Sequence, residues 1–589
     1  MQIYKLPAED IRFILETFGY EAVTKLEGYE AYDLDTTMAM IEESGKFCIN
    51  EFLPLNRSGD HEGVTYNPED RSVTTPKGFK ELYAKFVESG MIGICHPEKF
   101  GGGAAPNIIG VMLSEMAMST NKSFAMASGL SNGLVEALLH HGTEEQQNYY
   151  LPKLISGEWT GTMCLTEPQC GTDLGLMSTK AIPEGDHFKL TGQKIWITFG
   201  EHDLAENIIH LVLARLPDSP PGIKGISLFV VPKFLENGER NTVYCGGLEH
   251  KMGIHASPTC VIDMEDAHGW LVGEPHKGMR GMFTMMNHAR LNVGLEGVSL
   301  GEIAYQTALE YAKDRRQSRS LDASKQDKDH AADNILVHPD VRRMLLNIKA
   351  TNEGMRALAY WVGMELDHSR HNPDDQARED SDDLVALLTP VVKSFLTERG
   401  FFNTSEAMQV CGGSGFTVEW SIEQYMRDLR IAMIYEGTNH IQALDLVGRK
   451  LPMGMGRLFK KFSAKVTEHI QAHKDDADMA EFLEPLKDAS KKLTGVTMEL
   501  SATAMKDPEV AGAIASNYLN VFAYTALAYV WSVSAAAALK KEGVFYTSKI
   551  KTARYYFQNI LPEMNGLLGV IAAGKDNIMA FSVDELESR

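Results

Sequence analysis

The spacing of apolar residues changes twice along the chain. Up to about residue 160, stretches such as LYAKFVESGMIG and NGLVEALLHHGTEEQQNYYLPKLISG carry apolar residues three and four positions apart, which predicts helices. From 161 to 275 the apolar residues fall in short runs rich in β-branched and aromatic side chains, such as HFKLTGQKIWIT and NIIHLVLARL, and turn residues separate the runs. That pattern predicts an antiparallel β domain. Helical spacing then returns and continues to residue 589.

At 589 residues the chain is too long for one hydrophobic core, so we expect several domains. The pattern divides it into an N-terminal helical domain (1–160), a β domain (161–275), a helical-bundle domain (276–452) and an additional helical block (453–589). The expected fold class is therefore mostly α with a central β domain.

Two charged stretches interrupt the helical pattern of the second half. SRSLDASKQDKDHAADN covers 318–334 and DHSRHNPDDQAREDSDD covers 367–383, and both are poor in apolar residues. Segments of that composition bury too little apolar surface to order themselves. We therefore expect solvated or mobile loops at both places.

Residues 510–539 contain no charged residue and are long enough to span a bilayer. The segment includes Gly512, Asn517, Asn520, Thr525 and three serines, and much of the rest is alanine. A helix of that composition packs better against other helices than against lipid. No stable membrane insertion is therefore expected.

The charge balance bears on partners and compartment. Fifty-seven basic and 79 acidic residues give a formal net charge of −22, and a surface that acidic repels nucleic acid and anionic lipid. The seven cysteines show no CxxC pair and no metal-ligand spacing, so no metal site is expected. The first residues, MQIYKLPAEDIRFILETFGY, lack the basic and apolar stretches of a signal peptide. We expect a cytoplasmic protein with reduced thiols and no nucleic-acid partner.

Glu436 is the only Asp, Glu, Lys or Arg in the stretch IYEGTNHIQ, from Ile434 to Gln442. Apolar neighbours that exclude water, here Met433 and Tyr435 among them, raise the pKa of a carboxyl and strengthen it as a base. The following Gly437 lets the backbone come close to a ligand. The stretch therefore indicates a candidate general base.

Five motifs follow one another along the chain: GTMCLTEPQCGTDLG, GQKIWITFG, EHKMGIHASPTCVIDMED, QVCGGSGFTVEW and MRDLRIAMIYEGTNHIQ. Together, over roughly residues 80 to 450, they resemble the acyl-CoA dehydrogenases, a family of flavin enzymes. The resemblance implies an acyl-CoA dehydrogenase-like fold, with a helical N-domain, a β-barrel middle domain, a helical-bundle C-domain and here an extra C-terminal helical bundle. It also implies FAD as the cofactor.

The reaction of that family gives an isolated carboxylate a role. Oxidising an acyl-CoA thioester between Cα and Cβ needs a base for the weakly acidic Cα proton, a polarised thioester carbonyl and a hydride acceptor on the opposite face. The resemblance makes Glu436 that base, and its own N–H a donor to the thioester oxygen, where charge develops. The alternative is structural: Glu436 would pair with Arg427 or Arg430 and lock a turn.

Further site residues are carried over from the family motifs. The cofactor contacts implied are Met163, Leu165, Thr166, Gly171, Thr172, Trp196, Thr198, Arg315, Gln409, Gly412, Gly413, Thr438 and His440. The substrate contacts implied are Thr172, Asn287, Arg290, Glu436 and Gly437. Trp196 matches a residue that stacks on the isoalloxazine, and its alternative is a core position in a strand. His440 departs from the family pattern, in which glutamine is usual.

Substrate and partners follow from the same resemblance. An electron-transferring flavoprotein is the implied electron acceptor, and a homodimer is implied because the neighbouring subunit completes the FAD site. The N-terminal segment and the block after 453 resemble a long bacterial branch, which implies 3-(methylthio)propanoyl-CoA or another short- or medium-chain acyl-CoA. Three alternatives stay open: an acyl-CoA oxidase, a long-chain acyl-CoA dehydrogenase and, against the acidic charge, a DNA-binding flavoprotein relative.

Overall fold

The computed structural model describes residues 2–588, except for the side chains of residues 283–288. The first part of the chain is helical, as predicted, but it also contains a short β-hairpin. Its elements are α1 (Ala8–Thr17), α2 (Tyr20–Val23), α3 (Leu34–Phe47), a π-helical segment (Cys48–Phe52), α4 (Leu53–Glu62), β1 (Thr65–Asn67), β2 (Ser72–Thr74), α5 (Phe79–Glu88), α6 (Asn107–His141) and α7 (Glu144–Ser156). Helix α7 begins after Thr143, whose hydroxyl accepts from the Gln146 N–H at 3.2 Å in a capping box.

The β1–β2 hairpin corrects the purely helical prediction for this part. Tyr66 pairs with Val73 across the two strands, and the Tyr66 hydroxyl donates to the carbonyl of Cys245 at 3.0 Å. Strands of three residues are too short to show an alternating pattern. The tie to a distant residue, and not a local signal, therefore explains why the sequence did not reveal the hairpin.

The middle of the chain forms a closed sheet. Its strands are β3 (Trp159–Cys164), β4 (Lys180–Glu184), β5 (His187–Thr198), β6 (Asn207–Arg215), β7 (Ile226–Pro232), β8 (Val243–Leu248) and β9 (Thr259–Val272). Pairing runs β6–β4–β5–β9–β7 and returns to β6, which makes a barrel. Most pairs are antiparallel, as predicted, but β3 and β4 each pair in parallel with β6.

Helices return after the barrel. They are α8 (Gly278–Asp314), α9 (Pro339–His371), α10 (Asp375–Val391), a π-helical segment (Val392–Leu396), α11 (Thr397–Cys411), α12 (Gly413–Phe416), α13 (Ile422–Leu429), α14 (Asn439–Asp445) and a second π-helical segment (Leu446–Lys450). The additional block contains α15 (Arg457–His473), α16 (Ala480–Ala504), α17 (Pro508–Ala538), α18 (Val544–Tyr555), a π-helical segment (Tyr556–Ile560), α19 (Glu563–Ala572), α20 (Asp576–Met579) and α21 (Val583–Glu587).

The prediction of a loop over 367–383 is wrong. Helix α9 continues to His371 and α10 begins at Asp375, after an N-cap at Asp374 whose side chain accepts from the Ala377 N–H at 2.8 Å. Glu379, Asp380 and Asp383 pair with basic residues of α15, where Arg457 Nε is 2.7 Å from Asp383 Oδ2. Ion pairs with a neighbouring helix therefore order a segment whose composition alone predicted a loop.

The stretch 318–334 contains no long helix, as predicted, but it is organised internally. Asp333, only 1% exposed, accepts hydrogen bonds from the main-chain N–H groups of Ser320 and Asp327, both at 2.6 Å. Arg316 pairs with Asp327 at 2.7 Å. A buried carboxylate thus holds the loop in shape.

Helix α17 is the apolar segment that length and composition would allow to cross a membrane, and among the described residues it is the only such helix. In its most apolar window, 83% of the residues are buried inside the protein. It packs against α9, α14, α16, α18 and α19. The helix therefore buries its apolar surface against other helices, as its small and polar residues indicated.

The chain forms two compact units. The barrel unit is continuous and comprises Met40–Ala289, and the helical unit comprises Met1–Ala39 together with Arg290–Arg589. The helical unit is therefore assembled from two segments that are separated in sequence by the whole barrel unit.

A buried ion network joins the two segments of the helical unit. Arg356 on α9 binds Asp10 on α1 and Glu302 on α8, each at 2.7 Å, and its side chain is 1% exposed. Lys549 on α18 binds Glu353 at 2.7 Å and also pairs with Asp10. Every charge in this network has an opposite charge beside it, as buried ions require.

Candidate active site

Glu436 lies in a tight turn between the 3-10 helix Arg430–Met433 and α14. Its φ is +55°, in the left-handed region that a β-carbon disfavours, and the φ of Gly437 is +81°. The side-chain amide of Gln442 holds the turn by donating to the carbonyls of Glu436 (3.2 Å) and Gly437 (3.1 Å). Non-glycine residues in this region cost on the order of 1–3 kcal/mol and cluster at functional sites. The turn is therefore a candidate for function.

Two cations and a carboxylate act on the partly buried Glu436 side chain. Burial raises the pKa of Glu436 above its ordinary value, the positive charges of Arg290 and Lys393 oppose that rise, and the Glu296 carboxylate adds to it. The Tyr435 hydroxyl donates to Glu296 at 2.5 Å. A carboxyl with a raised pKa is what a general base near neutral pH needs. The pKa of Glu436 is thus raised, as the sequence predicted, and its charged neighbours change the size of the rise.

Among the described residues, Glu436 forms no ion pair with Arg427 or Arg430. Arg427 binds Glu423 on its own helix, with Nε and Oε2 2.5 Å apart, and the Arg430 guanidinium lies over the ring of Phe401. Ile434, next to the turn, is 50% exposed, so it contributes little to excluding water. The charged residues that act on Glu436, which are Arg290, Lys393 and Glu296, are distant from it in sequence.

Arg290 lies beneath the turn. Its side chain is buried, its Nη1 is 3.2 Å from Asp445 Oδ2, and a β-carbon added to Gly437 would lie 3.8 Å from its Nη2. The structure thus places Arg290 close to Glu436 and Gly437, and their predicted contacts with the substrate stay predictions. Asn287, predicted beside Arg290 as a substrate contact, lies outside the described side chains.

Thr438 and His440 make structural contacts close to the turn. The Thr438 hydroxyl caps α14 by accepting from the Ile441 N–H at 3.3 Å. His440 Nδ1 is 3.0 Å from the hydroxyl of Ser516 on α17, so the additional helical block touches the helix that follows Glu436. The predicted contacts of Thr438 and His440 with the cofactor stay predictions.

The predicted contacts across a dimer lie on the surface of the helical unit. Arg315, Gln409, Gly412 and Gly413 are all exposed. Gly412 ends α11 with a φ of +58°, and a β-carbon at either glycine would meet nothing within 4 Å. The turn is therefore open enough for a ligand or a partner chain.

Trp196 occupies a β-bulge of the barrel unit. The pairing of β5 with β9 shifts between Lys194 and Ile197, the φ of Trp196 is +61°, and its side chain is 60% exposed. A bulge redirects a side chain, and bulges are common next to active sites. The alternative of a core position for Trp196 is therefore wrong.

Glu167, in the motif GTMCLTEPQCGTDLG (161–175, here the TEP segment), forms a buried ion pair with Lys194 on β5, and the sequence analysis did not single out this pair. Lys194 Nζ is 2.8 Å from Glu167 Oε1, and the two side chains are 0% and 1% exposed. Glu167 also accepts from the N–H and hydroxyl groups of Ser178 and Thr179, at 2.6–3.1 Å. Despite its burial, which would raise the pKa of Glu167, Lys194 and these donors hold that pKa at about 2.

The Glu167–Lys194 ion pair lies beside other predicted site residues of the barrel unit. Lys194 also donates to the Leu165 carbonyl at 3.1 Å, and the Ile195 N–H donates to the Thr166 carbonyl at 3.0 Å. The TEP segment is thereby tied to the strand that carries Trp196. Met163 and Leu165 pack against the apolar cluster beside β3, Thr166 and Thr198 are partly buried, and Gly171 and Thr172 are exposed.

Four family models match the chain in sequence order. They are the acyl-CoA dehydrogenase N-terminal domain (35–158), middle domain (162–267) and C-terminal domain (276–451), and the acetyl-CoA dehydrogenase C-terminal like model (462–582). The matches cover most of the chain. It belongs to the acyl-CoA dehydrogenase family. The family domains, together with the barrel and the helical bundles, confirm the predicted fold class.

Individual relatives support the same placement of this acyl-CoA dehydrogenase. The chain is 42% identical to the 3-methylmercaptopropionyl-CoA dehydrogenase of Ruegeria pomeroyi, over 98% of this chain and 100% of that protein. It is 34% identical to a butyryl-CoA dehydrogenase of Syntrophomonas wolfei, over 96% of each. The fold also matches the acyl-CoA dehydrogenase of Bacillus anthracis complexed with FAD, with a TM-score of 0.74, 23% identity, and 94% and 90% of the two chains covered.

The family motifs led to Glu436, but four residues around it went unnoticed. Lys393, Glu296 and Gln442 are buried, and Asn439 begins α14. Lys393 stands in the apolar run LLTPVVKSFL, where a lysine is unusual. That was the one local signal.

Replacing Gly437 by alanine is expected to displace the Glu436 carboxyl, the candidate base. The new β-carbon would lie 2.7 Å from Gln442 Nε2, at a φ that alanine disfavours, so both hydrogen bonds from Gln442 to the turn would be disturbed. We expect flavin reduction by substrate to slow by about tenfold to a hundredfold, since small misplacements of a catalytic group have effects of that size. Stopped-flow measurement of flavin bleaching checks this.

Gly448→Ala is the matched control. Gly448 is exposed in the π-helical segment that follows α14, and a β-carbon there would meet nothing within 4 Å. It should leave the rate unchanged. Equal rates for the two alanine variants would contradict the role given to the Gly437 turn.

Proposed function

We propose that this acyl-CoA dehydrogenase oxidises a short- or medium-chain acyl-CoA thioester to the trans-2-enoyl-CoA, with FAD as its cofactor and Glu436 as the base. The observation that carries the proposal is the Glu436 turn. It holds a partly buried carboxyl at a φ of +55°, with a raised pKa, close to two cations. Strain and a perturbed pKa at one residue are typical of catalytic positions.

The barrel unit offers groups that suit a flavin. The exposed indole of Trp196 lies at the bulge in β5. Thr198, two residues further on, ends the same strand and contributes a hydroxyl. The main chain of the TEP segment lies beside that strand, since Ile195 bonds to Thr166. An aromatic face with polar main chain nearby fits a planar ring system that needs both stacking and hydrogen bonds. The FAD named for the Bacillus anthracis protein supports the same cofactor.

Glu436 accepts the Cα proton in this proposal. Its carboxylate takes the proton onto an oxygen, and its main-chain N–H, which makes no hydrogen bond with the described residues, donates to the thioester carbonyl oxygen as charge develops there. When bound, FAD supplies the acceptor for the hydride that leaves Cβ. The positive charge of Arg290 opposes the rise that burial causes in the pKa of Glu436, and so favours the ionised carboxyl.

The substrate proposal rests on the relatives. A protein named for 3-methylmercaptopropionyl-CoA and one named for butyryl-CoA match nearly the whole chain, and both names denote short acyl groups. We infer 3-(methylthio)propanoyl-CoA as the first candidate and other short- or medium-chain acyl-CoAs as the next.

A panel of acyl-CoAs tests the function. Purified protein is expected to be yellow, with about one FAD per chain. Under anaerobic conditions, 3-(methylthio)propanoyl-CoA and butyryl-CoA should bleach the flavin faster than octanoyl-CoA, and palmitoyl-CoA should be slowest. Colourless protein that FAD does not reconstitute would contradict the cofactor. Fastest bleaching by palmitoyl-CoA would show a long-chain enzyme, and stoichiometric peroxide in air would show an oxidase.

Assembly, location and electron transfer complete the proposal. We infer a homodimer, because the predicted FAD contacts at Arg315 and Gln409 are exposed on the helical unit and are expected to reach the cofactor of a partner subunit. An electron-transferring flavoprotein is the proposed acceptor, by analogy with the family. The acidic charge supports a protein that does not bind nucleic acid, and we propose a cytoplasmic location without membrane insertion.

A further inference from the structure

Lys393 is a fully buried lysine whose positive charge opposes the rise in the pKa of Glu436. It lies in the π-helical segment Val392–Leu396, directly after α10, and its exposed fraction is 0%. π-Helical turns are rare and are frequent at functional sites. A buried ammonium is costly unless nearby groups compensate it. The groups around Lys393 therefore indicate the function of its charge.

The ammonium of Lys393 is held by an amide. Its Nζ donates to Asn439 Oδ1 at 3.1 Å, and among the described residues it forms no ion pair with an acidic side chain. The Asn439 amide is fixed by further bonds, from the Thr397 hydroxyl at 3.3 Å and to the Ser394 carbonyl at 3.1 Å. Asn439 begins α14, three residues after Glu436. The cation is thus tied to the turn that carries the base.

The charges that face Glu436 come from α8 and from the π-helical segment. Helix α8 contributes Arg290 and Glu296, and the segment contributes Lys393. The Arg290 guanidinium pairs with Asp445 at 3.2 Å, so part of its charge is neutralised locally. Lys393 has no such partner, and its charge acts instead on Glu296 and Glu436.

Asp445, Arg449 and Lys450, on α14 and the π-helical segment after it, act on Arg290 and on one another, whereas α17 contributes no charge to the site. Helix α17 packs on the π-helical segment and on α14, and it has no charged residue between 510 and 539. Tyr435 stays uncharged, because burial and Glu296 raise its pKa well above its ordinary value, while Glu436 and Asp428 act in the same direction. In such an apolar setting a single ammonium has a strong effect on a nearby carboxyl.

We propose that Lys393 is a positioning residue for proton abstraction: held by Asn439 at the start of α14, its buried ammonium keeps the Glu436 carboxyl in the ionised, proton-accepting form. This inference rests on the proposed role of Glu436 as base. Burial lowers the pKa of Lys393 to about 8, although Glu296 and Glu436 act to raise it, so the side chain is still a cation at neutral pH. Without that cation, burial and Glu296 would favour the protonated, inactive Glu436.

The pH dependence of flavin reduction tests the proposal. In the holoenzyme, the single-turnover rate with the fastest acyl-CoA of the panel should rise with pH as Glu436 ionises. Lys393→Gln is expected to move the midpoint of that rise upward by about one pH unit or more, the size of effect that a nearby opposite charge has. Lys393→Arg, which keeps the charge, should restore the midpoint. Acyl-CoA affinity and FAD content should not change.

Lys549→Gln is the matched control, because it removes another buried lysine that pairs with Asp10 and Glu353 and does not act on Glu436. Its midpoint should equal that of the unmodified enzyme. If Lys393→Gln fails to fold, Asn439→Asp keeps the lysine and sets a carboxylate against its ammonium, and it should shift the midpoint in the same direction. An unchanged midpoint in the folded variant would overturn the proposal.

The outcome is separable from the proposed function itself. If Glu436→Gln reduces its flavin at the normal rate, Glu436 is not the base and the proposed function fails. If Glu436→Gln is inactive while the Lys393 variants keep the normal midpoint, only the role of Lys393 fails.

Discussion

Glu436→Gln is expected to lower the rate of flavin reduction by substrate by at least about a hundredfold, the lower end of what a positioned general base contributes. The amide keeps the shape of the side chain but cannot take the Cα proton. FAD and acyl-CoA should still bind, so the loss should appear in the chemical step and little in substrate affinity. Anaerobic stopped-flow bleaching, with substrate titrations on the same protein, separates the two.

Variants of other glutamates make the result specific. Glu436→Asp should keep partial activity, because the carboxylate survives but is withdrawn by one methylene. Glu406→Gln removes a carboxylate on α11 that binds Arg343 at 3.2 Å and Asn347 at 3.1 Å, and Glu419→Gln removes another outside the turn; both should reduce flavin normally. A normal rate for Glu436→Gln would place the base elsewhere.

The raised pKa of Glu436 predicts how the rate of flavin reduction depends on pH. The base must be ionised, so the rate should fall as pH drops through its pKa, which burial places above the ordinary value of 4.5. Activity that stays constant well below that value would contradict the assignment.

Lys194→Met is expected to destabilise the barrel unit by about 3–5 kcal/mol, the usual cost of leaving one partner of a buried ion pair alone. Glu167 would stay buried without the cation that now lies 2.8 Å away. Because Lys194 also holds the Leu165 carbonyl, FAD retention should fall as well. Urea unfolding followed by tryptophan fluorescence, and the flavin content of the purified protein, measure the two effects.

Lys189→Met on the same strand is the control. Lys189 pairs with Glu184 at 2.6 Å, but both side chains are more than one third exposed, and exposed ion pairs contribute little to stability. Equal stability of the Lys194 and Lys189 variants would show that the buried pair does not support the barrel unit.

The Glu167–Lys194 ion pair also predicts how the stability of the folded state depends on pH. The pKa of Glu167 is about 2 in the folded protein and 4.5 ordinarily, so the folded state gains stability from its ionised form above 4.5. That contribution should decrease as pH falls from 4.5 towards 2. In Lys194→Met this part of the acid transition should shrink.

The sequence predicted the order of helical and β segments because each has its own local period. It did not predict that α10 extends through an acidic stretch, since the basic residues that neutralise Asp383 and its neighbours lie on α15, more than 70 residues away. The parallel pairing of β3 with β6 was missed for a similar reason. Hydrophobic alternation indicates a strand but says nothing of the direction of its partner.

At the site, family motifs led to Glu436 and Trp196, but the backbone geometry of both was invisible. The φ of +61° at Trp196 depends on a shift in pairing with β9, and the strain at Glu436 depends on Gln442. Lys393 was missed because its electrostatic role depends on groups such as Glu296, which are far from it in sequence. Motifs of adjacent residues can be recognised in a sequence. The charges that surround a residue are known only once the fold is known.

The ion network around Asp10 has a consequence for biosynthesis. Lys549, which pairs with Asp10, is 539 residues further along the chain, so helix α1 leaves the ribosome long before its partner is translated. At roughly 5–20 residues per second, that delay is on the order of half a minute to two minutes. Ile11, Phe13 and Ile14 of α1 are buried in the finished protein, where α1 packs against α2, α9 and α17, so these side chains lack part of their cover until α17 is synthesised. The nascent chain therefore carries an apolar N-terminal segment that a chaperone is able to recognise.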